Sequence, residues 1–175
     1  REIINNFSSS GKIASRAYLN IGRIFEYQGK WNLAREEYDK IIDLYPMTRI
    51  GLNMPLYIMA HYRAVKDKDK TEDAYKNALR HYNGMIEEYA STSAAPLIKD
   101  YLSRLYLEKS KTNDAIAIWD DLEKEYSFSP VAAKAILTKA FIYERIVKDT
   151  QRAIGEYKKF IKRYPKNKIT PQIKM

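Results

Sequence analysis

Three adjacent carboxylate pairs, Glu36-Glu37, Glu87-Glu88 and Asp120-Asp121, are the first candidates for acid–base chemistry in this chain. Each falls in a helix-like stretch, where neighbouring side chains point about 100° apart. Two such carboxylates cannot converge on one substrate atom, and they read as solvated faces. The histidines, His61 and His81, lie on separate helix-like segments with no carboxylate at a metal-binding spacing such as H-E-x-x-H. There is no cysteine, which removes thiolate nucleophiles, Cys-based zinc sites and disulfide frameworks. The glycines form no phosphate-binding loop, and Ser8-Ser9-Ser10-Gly11 reads as a corner before a helix starting near Lys12. These residues point away from an enzyme and call for no metal and no cofactor.

Binding chemistry is better represented. The chain of 175 residues carries a net charge of +9, placed unevenly: the last 28 residues, from Lys148, hold nine Lys plus Arg against two acids. Lys158 with Lys162, and Lys159 with Arg163, stand four apart on neighbouring stripes of one helix, with Lys166 just beyond. Such an end suits nucleic acid, an anionic lipid surface or an acidic protein. The competing reading is a solvated face in a lysine-rich protein.

The elements that must position these residues announce themselves by repetition. An apolar pair, two spacers and an aromatic recur as Ile3-Ile4-Asn5-Asn6-Phe7, Ile41-Ile42-Asp43-Leu44-Tyr45, Met85-Ile86-Glu87-Glu88-Tyr89 and Phe160-Ile161-Lys162-Arg163-Tyr164, and Leu122-Glu123-Lys124-Glu125-Tyr126 keeps the frame with only the first of the pair apolar. The aromatic returns after 38, 44, 37 and 38 residues. Self-similarity at such a period predicts an all-α, right-handed solenoid of helix-turn-helix units, each burying its apolar face against its neighbours. The expected organisation is one domain over 1–175: the end of a preceding unit (1–11), units over 12–48, 49–92, 93–129 and 130–167, and a tail (168–175). The opening segment reads as the tail of an earlier second helix, so the chain is expected to be an excerpt of a longer protein. The longest apolar run, Met54 to Ala60, has seven residues, against roughly 20 for a bilayer span.

Within the first unit Tyr18, Ile21, Gly22 and Phe25 are followed by Ala34, Tyr38 and Pro46. Two helices approach closely only where side chains are small, so Gly22 and Ala34 mark the crossing and the aromatics fill its flanks. Gly29 is free to cap the first helix in a left-handed conformation, and Pro46 ends the second. The third unit repeats the scheme with Leu102, Ser103, Tyr106, Ala115 and Trp119, and Thr112 is the expected N-cap of its second helix. The fourth reads Ala140, Tyr143, Ala153, Tyr157 and Pro165, with one extra loop residue around Lys148-Asp149-Thr150. The second diverges: Ala60 suits the small site, either Ala74 or Ala78 the crossing, and longer helices are expected. No segment alternates with period two, so no sheet is predicted.

In order and spacing these residues resemble the tetratricopeptide repeat family, whose signature is W-x2-L-G-x2-Y, then A-x3-F, then P. The resemblance implies a noncatalytic scaffold that binds another protein or a peptide along the first helices of its units. Carried onto this chain, the peptide-binding positions are Leu19 and Arg23, Tyr57 and His61, Asp100 and Arg104, and Leu137 and Phe141, with Glu26, Ala64, Leu107 and Glu144 a turn further on. The Lys and Asn with which chaperone-binding members hold a terminal carboxylate are replaced by Leu19 and Arg23, although Arg23 and Arg104 could still grip a carboxylate. Units of 37 or 38 residues ending in Tyr-Pro are similar to the cell-envelope branch of the family in Gram-negative bacteria, which includes outer-membrane assembly lipoproteins and Tol-Pal-associated proteins. That likeness implies a periplasmic or outer-membrane-associated location, with a cytoplasmic one as the alternative. Self-association through exposed solenoid ends is also expected. The competing functions are a basic module for anionic lipid or nucleic acid, the less favoured partners, and a substrate-recruiting domain of a larger enzyme.

Overall fold

The computed structural model describes residues 9–127 and 129–173. The repeated ending at Ile3 to Phe7, on which the preceding unit rests, lies outside the described residues. Among the described residues every regular element is helical: α1 (Ser9–Tyr27), α2 (Trp31–Leu44), α3 (Arg49–Ala64), α4 (Lys68–Glu88), α5 (Ala95–Glu108), α6 (Thr112–Glu125), α7 (Pro130–Ile142), which runs on into a π turn (Tyr143–Val147), α8 (Thr150–Arg163) and the short α9 (Thr170–Ile173). The chain divides into two compact units, residues 1–81 and 82–175, and the division falls within α4.

In the first unit α1 and α2 form a hairpin, and α3 packs on both. The small site is a steric necessity: a Cβ on Gly22 would run into the ring of Tyr38, and Ala34 and Tyr38 are fully buried. Gly29 takes φ 72°, and the Lys30 N–H reaches back to the Phe25 carbonyl at 2.8 Å, closing α1 as a left-handed cap does. α2 stops at Leu44, just before Tyr45-Pro46. Thr48 then caps α3 by accepting from the Gly51 N–H at 3.0 Å. α4, with 21 residues, meets the expectation of longer helices in the divergent unit, and both Ala74 and Ala78 are buried.

In the second unit the α5–α6 hairpin is followed by α7 and α8, with α6 packed on α7. Trp119, Leu122, Ala115, Ala135, Ile142 and Ala153 form its main core, and Phe160 with Ile136 and Ala133 a second one beside Ile173. Two local expectations are corrected. Lys111, not Thr112, is the N-cap of α6, and it makes no side-chain cap bond. The cause lies upstream: Ser110 takes φ 61° and the Lys111 N–H bonds to the Tyr106 carbonyl at 2.8 Å, so the cap of α5 uses up the connection and Thr112 already lies inside α6. The extra residue of the fourth unit is absorbed by the helix as well as by the loop. The π turn Tyr143–Val147 ends on Lys148 at φ 63°, and the Asp149 N–H bonds to the Tyr143 carbonyl at 2.8 Å. Asp149 then caps α8 through the Arg152 N–H. Each hairpin thus turns on one left-handed residue, Gly29, Lys66, Ser110 or Lys148.

Candidate functional site

In the first unit the first-helix positions converge on one carboxylate. Glu26 stands one turn beyond Gly22, and it accepts hydrogen bonds from Tyr38 Oη at 2.8 Å and Tyr57 Oη at 2.7 Å, both on Oε2. His61 Nδ1 lies 3.3 Å from Oε1. Tyr57 and His61 are four apart on α3 and share a stripe, so the helix that packs beside α1 delivers both. Burial alone would push the Glu26 carboxyl up, but the hydrogen bonds from Tyr57, Tyr38 and His61 outweigh it and hold the group below its ordinary range. The same carboxylate, after burial, pushes the Tyr38 and Tyr57 hydroxyls up. Trp31 stacks flat on His61, with centroids 3.2 Å apart and planes within 1°. Arg23 is exposed and Leu19 half-buried.

The fourth hairpin repeats part of this arrangement. Glu144 stands four residues beyond Ala140, as Glu26 does beyond Gly22, and it accepts from Tyr157 Oη at 2.8 Å, the counterpart of Tyr38. A tyrosine on the second helix tethering a glutamate on the first is therefore a recurring device. The third hairpin has Leu107 in the glutamate's place and Trp119 in the tyrosine's. There the indole donates from Nε1 to Asp100 Oδ1 at 3.2 Å.

Asp100, read from the sequence as lining a groove, is buried. Its Oδ2 holds Arg104 at 2.8 Å and Lys134 at 2.7 Å. The acid is an anchor, and what faces outward is the pair of cations it fixes: the Lys134 side chain is about half exposed, and that of Arg104, lying over the Tyr101 ring at 4.8 Å, about one-third. Leu137 is half-buried against the Phe160 cluster and Phe141 is exposed. The structure therefore joins Tyr57 to His61 through Glu26 and Asp100 to Arg104, places the Arg23 charge near enough to act on the Tyr57 hydroxyl, and leaves Leu19, Leu137 and Phe141 outside these polar clusters.

The basic end is less basic than its composition. Lys159 lies 3.2 Å from Glu123 and 2.9 Å from Glu156, and Arg163 lies 3.3 Å from Glu123. Only Lys158, Lys162 and Lys166 of the five expected cations are exposed without an ion pair among the described residues. The partner acids belong to a node that the sequence reading missed. The fully buried Lys139 of α7 reaches Asp120 at 2.5 Å, Glu123 at 2.7 Å and Glu156 at 3.4 Å. Its signal was present as a double exception: Glu123 breaks the repeated apolar pair, and Lys139 stands where the other units have Ile21, Met59 and Leu102.

Among the described residues no group of three His, Cys, Asp or Glu is placed to hold a metal ion, and no helix is long and apolar enough to cross a membrane. A recess of about 170 Å³ lies in the first unit among Arg35, Asp39, Ile58, Asn77 and His81, smaller than the roughly 300–1,000 Å³ typical of small-molecule pockets.

Comparison with known proteins bears on this geometry. Residues 16–46 and 134–167 match the model of the tetratricopeptide repeat. A solved structure of the human IFIT1 dimer with m7Gppp-AAAA superposes with a TM-score of 0.54 at 19% identity, over 85% of this chain and 33% of that one. The fold is the tetratricopeptide-type α-solenoid. The two matched stretches fall on the first and fourth hairpins, the two in which a tyrosine of the second helix donates to a glutamate of the first. The chain spans about a third of the IFIT1 chain, and no curated protein sequence matches it.

Proposed function

We propose that this chain is a noncatalytic scaffold that docks a segment of another protein on the first-helix faces of its tetratricopeptide hairpins. The observation that carries the reading is the Arg104–Asp100–Lys134 cluster. A buried carboxylate holds two half-exposed cations in fixed positions, so a peptide carboxylate meets a preorganised site and little side-chain entropy is lost on binding. Glu26 supplies an opposite charge in the first unit, because His61 leaves part of Oε1 open to a cation. An acidic peptide with apolar anchors suits the Arg104–Lys134 cluster better than nucleic acid suits the basic end, since Lys159 and Arg163 are already paired with Glu123 and Glu156. The Tyr45-Pro46 and Tyr164-Pro165 corners and the 37–38-residue spacing support placement in a bacterial cell-envelope assembly, in the periplasm or at the outer membrane.

The test is affinity capture from a bacterial envelope extract with wild-type chain and an Arg104→Glu/Lys134→Glu variant, folding being checked by circular dichroism. A defined protein retained by wild type and lost by the folded variant is expected. Equal retention by both baits, or retention only of nucleic acid released by salt, would sink the proposal.

A further inference from the structure

The divergent second hairpin has a longer second helix, and the added length builds a wall. Aligned on Tyr82 and Tyr157, α8 starts at Thr150, opposite Tyr75, whereas α4 starts at Lys68, about two turns earlier. Ala74, whose counterpart Asp149 is the N-cap of α8, therefore lies inside α4. There it helps to bound the recess of about 170 Å³ in the first unit. The floor of the recess is apolar: Pro55 and Ile58 of α3 and Ala74 and Ala78 of α4 are buried, and Ile42 of α2 is half-buried. The rim is polar, with Arg35, Asp39 and His81 half-buried and Asn77 exposed.

The fourth hairpin shows what the same place holds when the chain fills it with its own charges. Asp39, Ile42 and His81 are the counterparts of Asp120, Glu123 and Glu156, the three acids around the Lys139 ammonium. In the first unit the charges cancel. Arg35 closes on Asp39 Oδ1, with Nε at 2.9 Å and Nη2 at 2.7 Å. Burial, against the opposing pull of Asp43, holds the His81 imidazole below its ordinary range, so it stays uncharged at neutral pH. An ionic ligand would be desolvated there without a counter-ion, and a neutral one is favoured.

Size and hydrogen bonding narrow the ligand further. A cavity of about 150 Å³ accepts a benzene ring, so this recess takes one ring and little more. At the rim, Asp39 uses only Oδ1 among the described residues and has Oδ2 left to accept. The Asn77 amide, whose Oδ1 takes Arg80 Nη2 at 3.2 Å, has Nδ2 left to donate. A hydroxyl can answer both, since it donates and accepts.

We propose that the recess between α2, α3 and α4 is a binding site for one neutral phenolic ring, its hydroxyl set between Asp39 and Asn77 and its ring on Ile42, Pro55 and Ile58. A tyrosine side chain of a partner and a free phenol share this chemistry. The site uses neither Arg104 nor Lys134, and it stands without the peptide-docking reading.

The probes are p-cresol, N-acetyl-tyrosine amide and toluene, titrated into the full chain with carbon-13-labelled isoleucine methyl groups and followed by NMR. p-Cresol should give saturable shifts at Ile42 and Ile58 and leave Ile161 unmoved. Toluene should bind about tenfold more weakly for want of the hydroxyl. Equal binding of N-acetyl-tyrosine amide assigns the ring to a partner's tyrosine, and failure of that probe beside saturable p-cresol assigns it to a free phenol. Asn77→Trp, at an exposed position that leaves folding intact, should close the mouth and weaken p-cresol by about tenfold or more. Ala74→Leu, which fills the floor, should do the same, and Arg104→Glu should change nothing, which separates this site from the peptide site. Absence of saturable shifts up to the solubility of p-cresol overturns the proposal, as do shifts that survive Asn77→Trp. Toluene bound as tightly as p-cresol overturns the placing of a hydroxyl between Asp39 and Asn77.

Discussion

Replacing Lys139 by Met should cost the second unit about 3 kcal/mol, a figure that follows from what the change leaves behind. Removing one member of a buried ion pair ordinarily costs about 3–5 kcal/mol, because the other charge stays buried without its partner. Here three acids are affected unequally. Asp120, with a side chain 58% exposed, returns to water, and Glu156 keeps Lys159 at 2.9 Å. Glu123 is mostly buried but retains Lys159 at 3.2 Å and Arg163 at 3.3 Å. The loss therefore falls at the lower end of the range. Methionine fills the space of the lysine stem, so no cavity penalty is added. The readout is urea unfolding followed by Trp119 in a Trp31→Phe background, since the two tryptophans lie in different units. With an m-value of about 2 kcal/mol/M the midpoint should fall by about 1.5 M. Changing Glu123 to Ile as well should recover much of the loss, because isoleucine occupies that place at Ile42, Ile86 and Ile161. The pH dependence has a definite sign. Burial raises the Glu123 carboxyl, but Lys139 and Lys159 outweigh it and hold it below its ordinary 4.5, so its contribution is present above pH 4.5 and is lost as pH falls through the lowered value. Burial lowers Lys139, but Asp120 and Glu123 outweigh it and hold it above 10.5, so its contribution is present below that pH and is lost as pH rises through the raised value. Both dependences should flatten in Lys139→Met. A variant as stable as wild type, or more so, would mean that the cost of burying the charge exceeds the attraction, and the reasoning would be refuted.

Other outcomes follow from the same geometry. Tyr38→Phe and Tyr57→Phe should each raise the Glu26 carboxyl toward its ordinary value, visible in a carbon-13 carboxyl titration, and each should cost about 1–2 kcal/mol. Because Glu26 is held low when folded, that cost should appear above the unfolded carboxyl value and vanish as pH falls through the folded one. Ser110→Gly and Lys148→Gly replace left-handed residues with the one that adopts this conformation freely, and each should add about 1 kcal/mol, or about 2–4 °C of melting temperature by calorimetry. A fall would show that the serine or lysine makes a compensating contact. Ala34→Leu should overpack the fully buried crossing with Gly22 and lower stability by about 1–3 kcal/mol in a Trp31-detected melt.

The repeat architecture was legible because hairpin packing imposes the same demands at each turn of the pattern. Gly22, Ala34 and Tyr38 sit where close helix approach requires them. The polar clusters were less legible because their partners are far apart in sequence. Nothing near Asp100 indicated that Trp119 and Lys134 would reach it from 19 and 34 residues away, so an acid at a groove position read as exposed. Lys159 and Arg163 read as a free basic stripe for the same reason, their acid lying 36 and 40 residues back. Thr112 was mistaken for a cap because residue type alone cannot show that Ser110 bends the chain first. The spacing put Glu26 a turn beyond Arg23, but its role as the acceptor for three donors needed the hairpin to bring α2 and α3 beside it.

The Lys139–Glu123 contact also carries information about order. Isoleucines at the places equivalent to Glu123 (Ile42, Ile86 and Ile161) and apolar residues at those equivalent to Lys139 (Ile21, Met59 and Leu102) would let one hairpin slide into another's berth with little penalty, since any greasy surface fits any other. A lysine at the same place admits only a neighbour that brings an acid. Seated on α2, α7 would bury an ammonium against Ile42, at a cost of several kcal/mol. The contact therefore works as a lock between one hairpin and its proper predecessor. It discriminates against shuffled or slipped stacking during folding, a safeguard that a chain built from near-identical modules would otherwise lack.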